Sequence, residues 1–322
     1  MIILLEKGDK RLMRRCIFCG LTEEDFKDNN CWTEEHIIPE ALGNKTLKIF
    51  DVCKNCNSGL GTYVDKYFVD HILLKMKRQE LGLKSKSGEV PNAFMEGKGQ
   101  EGQRIRMNGE FKPMTVPCIR EDGDNVEIIA PTKEEAKNMI QKKFSRLNKP
   151  EKMIRDALNK VDQTESRVYQ PVVQYDFTVE LNRFFMEAVK IAFEYAIYKL
   201  GNDYLKDSRA IQIQQYLKSA IDGKMKNGCT EFPGVGLIHE EISNLLKAAK
   251  ALNCDEAHLL LIHPDLDNRL IAQVILFMEP AFSFVVLLSE DAGRYCIPGR
   301  TLSELVEVKT NPDLSLFPGS KI

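Results

Sequence analysis

The stretch that decides the fold is "CIFCGLTEEDFKDNNCWTEEHIIPEALGNKTLKIFDVCKNC", residues 16–56. Two Cys-x-x-Cys pairs, Cys16/Cys19 and Cys53/Cys56, bracket it. Each pair makes a tight knuckle whose thiolates converge, and two knuckles supply the four tetrahedral ligands of a closed structural zinc site. The gap from Cys19 to Cys53 exceeds the roughly 15–20 residues of a simple four-cysteine ribbon, so something is inserted between the knuckles. Inside that insert, "TEEHIIPEALGN" (Thr33 to Asn44) sets one of only five histidines directly behind two glutamates.

The rest of the chain bounds the answer. Its 322 residues suffice for about two domains, and 43% hydrophobic with 29% charged residues is ordinary globular composition. No run reaches the roughly 18 apolar residues of a membrane span, and the N-terminal apolar patch is too short for a secretory signal. The expectation is a cytoplasmic protein with no membrane partner. Nine cysteines, an odd number, should then stay reduced. Cys31, Cys118, Cys229, Cys254 and Cys296, outside the pairs, read as buried small hydrophobes.

A net charge of −2 does not announce a nucleic-acid binder. It hides an asymmetry, because Lys137 to Lys160 holds eight basic residues against two acidic ones. Such a stripe can bind phosphate, but on this pattern alone the favoured reading is a solvated helical face. Any phosphate contact beyond the cysteine unit is expected there.

Three segments are expected: residues 1–80 as the cysteine-bearing module, 81–103 as a linker or long loop, and 104–322 as a mixed recognition or regulatory domain. "VDKYFVDHILLKMKRQELG" reads as one amphipathic helix stopped by Gly82. Short strands are expected in "RIRMN", "FKPMTVPCI", "NVEIIA" and "VVQYDFTVEL". Helices are expected from Pro131–Thr132 onward, in the long run ending at Gly201, in "SRAIQIQQYLKSAIDGKM" and in "HEEISNLLKAAKAL". "AHLLLIHPD", "RLIAQVILFM" and "FSFVVLLS" read as buried apolar strands. In "HLLLIHPDLDN", His258, His263, Asp265 and Asp267 gather near a strand end, which a turn explains without function.

Taken in order, "CIFCG", "EEHIIPEALGN" and "VCKNCNSGLG" resemble an HNH endonuclease of the zinc-knuckle ββα-metal type, the resolvase-like kind in which an Asn directly follows the last cysteine. The resemblance covers residues 16 to about 70. It implies an α+β chain: an N-terminal ββα-metal (HNH) module, then a larger mixed α/β domain of unknown type. It implies that Glu35 and His36 sit on a β-hairpin crossed by a helix beginning near Asn57, with zinc on Cys16, Cys19, Cys53 and Cys56. His36 would be the general base. Glu35 and Asn57 would hold a catalytic Mg²⁺ or Mn²⁺, with Asp65 behind them or on a metal water. The substrate implied is DNA, and the setting bacterial restriction or anti-phage defence.

The residue types suit those roles independently. Phosphodiester hydrolysis needs a base near neutrality and a hard cation with oxygen ligands, which one or two protein groups can hold. Three positions depart from the family pattern. Glu35 stands where Asp or His is frequent; Lys48 replaces an Asn that orients the catalytic loop; Gly61 replaces a third His. Asn57 could also simply cap its helix. One module cuts one strand, so a double-strand break would imply a homodimer or two visits. The rival class is a non-catalytic zinc module that binds DNA or protein. A further alternative is a sensor-effector, whose C-terminal domain binds a small molecule or a protein and gates the nuclease.

Overall fold

The computed structural model describes residues 14–308 except 86, 100–103, 108–111, 123–124, 165–171, 239–243, 245, 248–256 and 296. Strand β1 (Trp32–His36) pairs antiparallel with β2 (Lys48–Cys53). The register shifts between Thr33 and Glu35. Such a bulge turns side chains to new directions: Glu34 is exposed, Glu35 buried and His36 half-buried. Helix α1 (Lys54–Leu60) starts on Cys53 and continues through a π-helical turn, Gly61–Asp65, into α2 (Lys66–Val69).

The single helix expected over 64–82 is broken. His71 is extended, and its Nδ1 accepts from the Leu73 amide, capping a separate α3 (Ile72–Glu80). The stretch 81–103 is not all linker, because β3 (Glu96–Lys98) pairs with β4 (Arg104–Met107), and β4 with β5 (Pro113–Thr115). A hairpin of β6 (Cys118–Asp122) and β7 (Asn125–Ile129) precedes α4 (Lys133–Arg146) and α5 (Glu151–Gln163). Thr132 caps α4 by accepting from the Glu135 amide. The "VVQYDFTVEL" segment forms no strand, only a bridge from Gln174 to Lys98.

The remainder is built on α6 (Leu181–Leu200), an apolar helix that ends at Gly201 with φ 79°, and α7 (Ser208–Ile221). Both pack on one face of an antiparallel sheet made from β8 (Val235–Leu237), β9 (Ala257–Pro264), β10 (Leu270–Ile275), β11 (Ser283–Ser289) and β12 (Leu302–Glu307), ordered β12-β9-β10-β11-β8. The helix expected in "HEEISNLLKAAKAL" lies mostly outside the described residues. Among the described residues, no helix is long and apolar enough to cross a membrane. The turn after β9 is explained locally, since Asp265 takes the amides of Asp267 and Arg269 and the Arg269 guanidinium.

One hydrophobic core runs from Cys16 to Val308, so the N-terminal module is packed onto the helices and sheet that follow. Two glycines mark how closely. A Cβ on Gly59 of α1 would lie 2.6 Å from Ile221 Cγ2 and 2.8 Å from the Ile221 carbonyl oxygen. A Cβ on Gly43, whose φ is +100°, would lie 2.7 Å from Val308 Cγ1. The lone cysteines correct the expectation of burial: Cys31 is exposed, Cys118 and Cys229 are only half-buried, and Cys254 and Cys296 lie outside the described residues.

Candidate metal centre and catalytic pocket

The sulfurs of Cys16, Cys19, Cys53 and Cys56 all lie within 4.8 Å of one another. The Cys19–Cys53 separation is 3.8 Å, which equals the ~3.8 Å edge of a tetrahedron with ~2.3 Å zinc–sulfur bonds. The Cys53 amide points at Cys16 Sγ from 3.4 Å, the kind of N–H···S contact that supports a thiolate. Crowding makes the thiols compete for a single negative charge. Hydrogen bonds from Cys19 and Cys56 pull the Cys16 thiol down to about 2, donation to Cys16 pushes Cys19 up to about 12, and Cys56 is pushed up for the same reason. Four such sulfurs ionise together only around a cation, and the donor set fits zinc.

Across the module from the sulfurs lies a pocket of about 510 Å³, whose walls include Glu34, Glu35, His36, Glu40, Asn57, Gly61, Asp65, Lys66, Asp70 and Arg78. His36 is drawn below its ordinary pKa, first by burial and then by the charge of Lys48 opposite it in the β1–β2 register. The imidazole is therefore neutral near pH 7 and able to accept a proton. Lys48 itself is tied to Glu34 at 3.0 Å.

Asn57 does not cap its helix, for it lies inside α1, whose N-cap is Cys53. Its Nδ2 instead donates to Thr33 Oγ1 at 3.2 Å and to the Glu34 carbonyl at 2.8 Å. Both donor contacts hold the amide against β1, and its Oδ1 accepts no hydrogen bond among the described residues. Asp65 Oδ1 is buried too, with the Lys190 ammonium 3.4 Å away, and the π-helical turn carries it to the pocket wall. Such turns widen a helix locally and are frequent at functional sites.

Glu35 is only 5% exposed and turned inward. It meets Lys190 of α6 at 2.8 Å. The Lys190 ammonium also lies 3.4 Å from Asp65 and 3.6 Å from Glu194, and it donates to the His36 carbonyl at 3.0 Å. Burial works against its charge, but Asp65, Glu194, Glu35 and Glu187 together outweigh that and raise its pKa well above the ordinary value. Burial, and then the neighbouring acid Asp65 for Glu187, push the pKa values of Glu187 and Glu194 well above the ordinary carboxylate range, while Lys190 pulls both back down.

The loop that follows His36 is fastened by Asn44, fully buried. Its Nδ2 donates to the carbonyls of Ile38 (2.8 Å) and Leu47 (2.9 Å), and its Oδ1 accepts the amides of Thr46 and Leu47. The loop-orienting asparagine expected at position 48 is therefore supplied at 44, and Lys48 costs the loop no rigidity. A second tether comes from His258, whose Nε2 lies 3.0 Å from the Leu42 carbonyl.

Every sequence-expected site residue thus lies at one of two places, the sulfur cluster or the pocket. Asn44, Lys190 and His258 were not foreseen. Asn44 carried a signal, a buried-type Asn after a Gly, within the stretch already singled out. Glu187, Lys190 and Glu194 also carried one, a charged i, i+3, i+7 stripe in an otherwise apolar helix. Glu35, Asn57 and Asp65 present oxygen donors, which suit a hard divalent ion and not zinc.

Residues 16–73 match the family model described as HNH endonuclease. The match covers under a fifth of the chain and does not extend to α6, α7 or the five-stranded sheet. No curated protein and no solved structure matches the chain. The N-terminal module is an HNH endonuclease domain with a four-cysteine cluster compatible with structural zinc.

Proposed function

We propose that the protein is a metal-dependent endonuclease that hydrolyses phosphodiester bonds in DNA. The observation that carries this reading is the shared pocket, in which a neutral His36 stands beside Glu35, Asn57 and Asp65. His36 takes a proton from a water molecule as the water oxygen attacks phosphorus. The bond to the 3′-oxygen breaks, and solvent protonates that oxygen, leaving 5′-phosphate and 3′-hydroxyl ends. Mg²⁺ or Mn²⁺, when bound, would neutralise charge on the phosphate and the departing oxygen, and Glu35, Asn57 and Asp65 are the residues that would hold it. Asn44 and Lys190 touch no substrate. They fix the loop and the carbonyl on either side of His36, so that the base meets its water in one geometry.

The test is nicking of supercoiled plasmid by the full chain with added Mg²⁺ or Mn²⁺, beside an EDTA control and His36→Ala. The expected result is metal-dependent nicking that falls about 10²–10⁴-fold in the variant, the range of a lost general base, with zinc content and melting temperature unchanged. Zinc-loaded, folded protein that never nicks with either metal would overturn the nuclease reading and leave a binding module.

A further inference from the structure

The catalytic pocket is poorly furnished to hold a polyanion. Five of the residues on its wall are carboxylic acids, Glu34, Glu35, Glu40, Asp65 and Asp70, against the cations Lys66 and Arg78. The chain as a whole is slightly acidic. A nuclease built this way needs positive charge elsewhere, since phosphate neutralisation supplies most nucleic-acid affinity.

The α4–α5 pair holds such charge. Its basic residues divide into two groups. Lys137 and Lys143 are half-buried and spoken for, by Asp162 and Glu121 respectively. Lys142, Arg146, Lys149, Lys152, Arg155 and Lys160 are all exposed and have no acidic partner among the described residues. Lys142 and Arg146 are four residues apart on α4, and Lys152 and Arg155 three apart on α5, spacings that share a helical side; Lys149 lies between the helices and Lys160 in the last turn of α5. Neither helix is needed for the main core: α5 has no buried residue and α4 only Ile140. The sheet β3–β4–β5, which precedes the pair in the chain, is joined to α3, because the Ala93 amide before β3 donates to Gln79, next to Arg78 of the pocket wall.

We infer that α4 and α5 form a phosphate-gripping arm that holds duplex DNA while the HNH pocket acts on it. The inference rests on the nuclease reading for its purpose but not for its test. The arm supplies affinity without sequence preference, because lysine and arginine heads on two exposed helices can neutralise backbone phosphates wherever these fall.

The experiment compares two full-length proteins, both carrying His36→Ala to prevent cutting. One keeps the arm; the other has Lys142, Arg146, Lys149, Lys152, Arg155 and Lys160 all changed to Gln, substitutions confined to exposed side chains. Binding of a 30-base-pair duplex is measured from low to moderate salt. About 0.9 units of slope in log K against log salt accompany each phosphate contact. The expected outcome is a slope smaller by about 3 and an affinity at least tenfold weaker at moderate salt. Affinity within twofold and an unchanged slope would overturn the arm, as would failure of the parent protein to bind the duplex. Tighter, arm-dependent binding of single-stranded RNA of the same sequence would overturn the assignment to DNA. A chain that binds through the arm but never nicks keeps the inference and loses the nuclease. A chain that nicks while the Gln variant binds normally does the reverse.

Discussion

The two ends of the HNH module are held by different means. At the sulfur end, four cysteines within one short stretch converge on a common centre, and the neighbouring knuckle meets the distant chain through one polar contact among the described residues, Gln214 donating to the Ile17 carbonyl at 2.5 Å, and through apolar packing such as Phe18 on Phe193. At the pocket end, the fastening comes from far along the chain. Lys190 reaches the His36 carbonyl across 154 residues and His258 reaches the Leu42 carbonyl across 216. The difference teaches that zinc can make the module a module, while the helices and sheet downstream hold the candidate pocket in shape. A module excised at residue 80 would keep its sulfurs and lose both tethers.

The largest effect that could break this comparison is at the sulfur end. Structural zinc contributes on the order of 10–16 kcal/mol of apparent binding energy to small domains. Removing it with a strong chelator, or changing Cys53→Ser, should abolish nicking and lower the melting temperature in one step, with zinc release followed by a colorimetric dye. If chelation stripped the metal but left both the melt and the nicking intact, the sulfur end would not be what organises the module.

Next in size is Lys190. The ammonium is wholly buried among Glu35, Asp65, Glu187 and Glu194. Removing one partner of a buried ion pair strands the other and typically costs about 3–5 kcal/mol. Lys190→Met should lose that much in urea unfolding, and Lys190→Met with Glu35→Gln should recover part of it, because the stranded charge is then gone. Fully additive losses would show that Lys190 and Glu35 do not act as a pair.

The contrast between the two ends also explains what the sequence could reveal. Cys16, Cys19, Cys53 and Cys56 were legible because a closed zinc site depends on local spacing, two Cys-x-x-Cys knuckles; Glu35, His36 and Asn57 were singled out by the family resemblance, and they line one pocket. Like the cysteines, β9, β10, β11 and α6 were legible from local pattern, since apolar runs of those lengths have few other uses, whereas the edge strands β8 and β12, short or alternating with polar residues, were not read. Lys190 was not foreseen, because the stripe it forms with Glu187 and Glu194 in an otherwise apolar helix says that the three are buried together but not what they meet, until the neighbours from residues 35 and 65 are known. His258 was hidden by its surroundings, where a Pro-Asp turn six residues on drew attention to the strand end instead of its interior. Lys48 misled in the opposite direction. It occupies the position at which a loop-fixing asparagine was expected, while Asn44 performs that task from the other side of the loop.

The smallest effect belongs to His258, and it tests whether the pocket end depends on a neutral imidazole. Nδ1 of this ring accepts the Phe277 amide, so Nε2 carries the proton donated to Leu42. Complete burial drives its pKa down to about 4 from the ordinary 6.5. A depressed histidine pKa means that the unfolded chain takes up the proton first as pH falls. Stability from this ring is therefore fully present above pH 6.5 and is lost progressively between 6.5 and 4. From pH 7.5 to pH 5 the loss is about 2 kcal/mol, by the linkage of 1.36 kcal/mol per unit. His258→Gln cannot titrate, so its unfolding free energy should fall by about 2 kcal/mol less than the wild type's over the same interval, in urea melts at the two pH values. Parallel losses in both proteins would mean that the acid sensitivity of the fold arises elsewhere and that the Leu42 tether is indifferent to charge. Divergence of the expected size would make the loop behind His36 the part of the nuclease centre that loosens first in acid, ahead of the sulfur end.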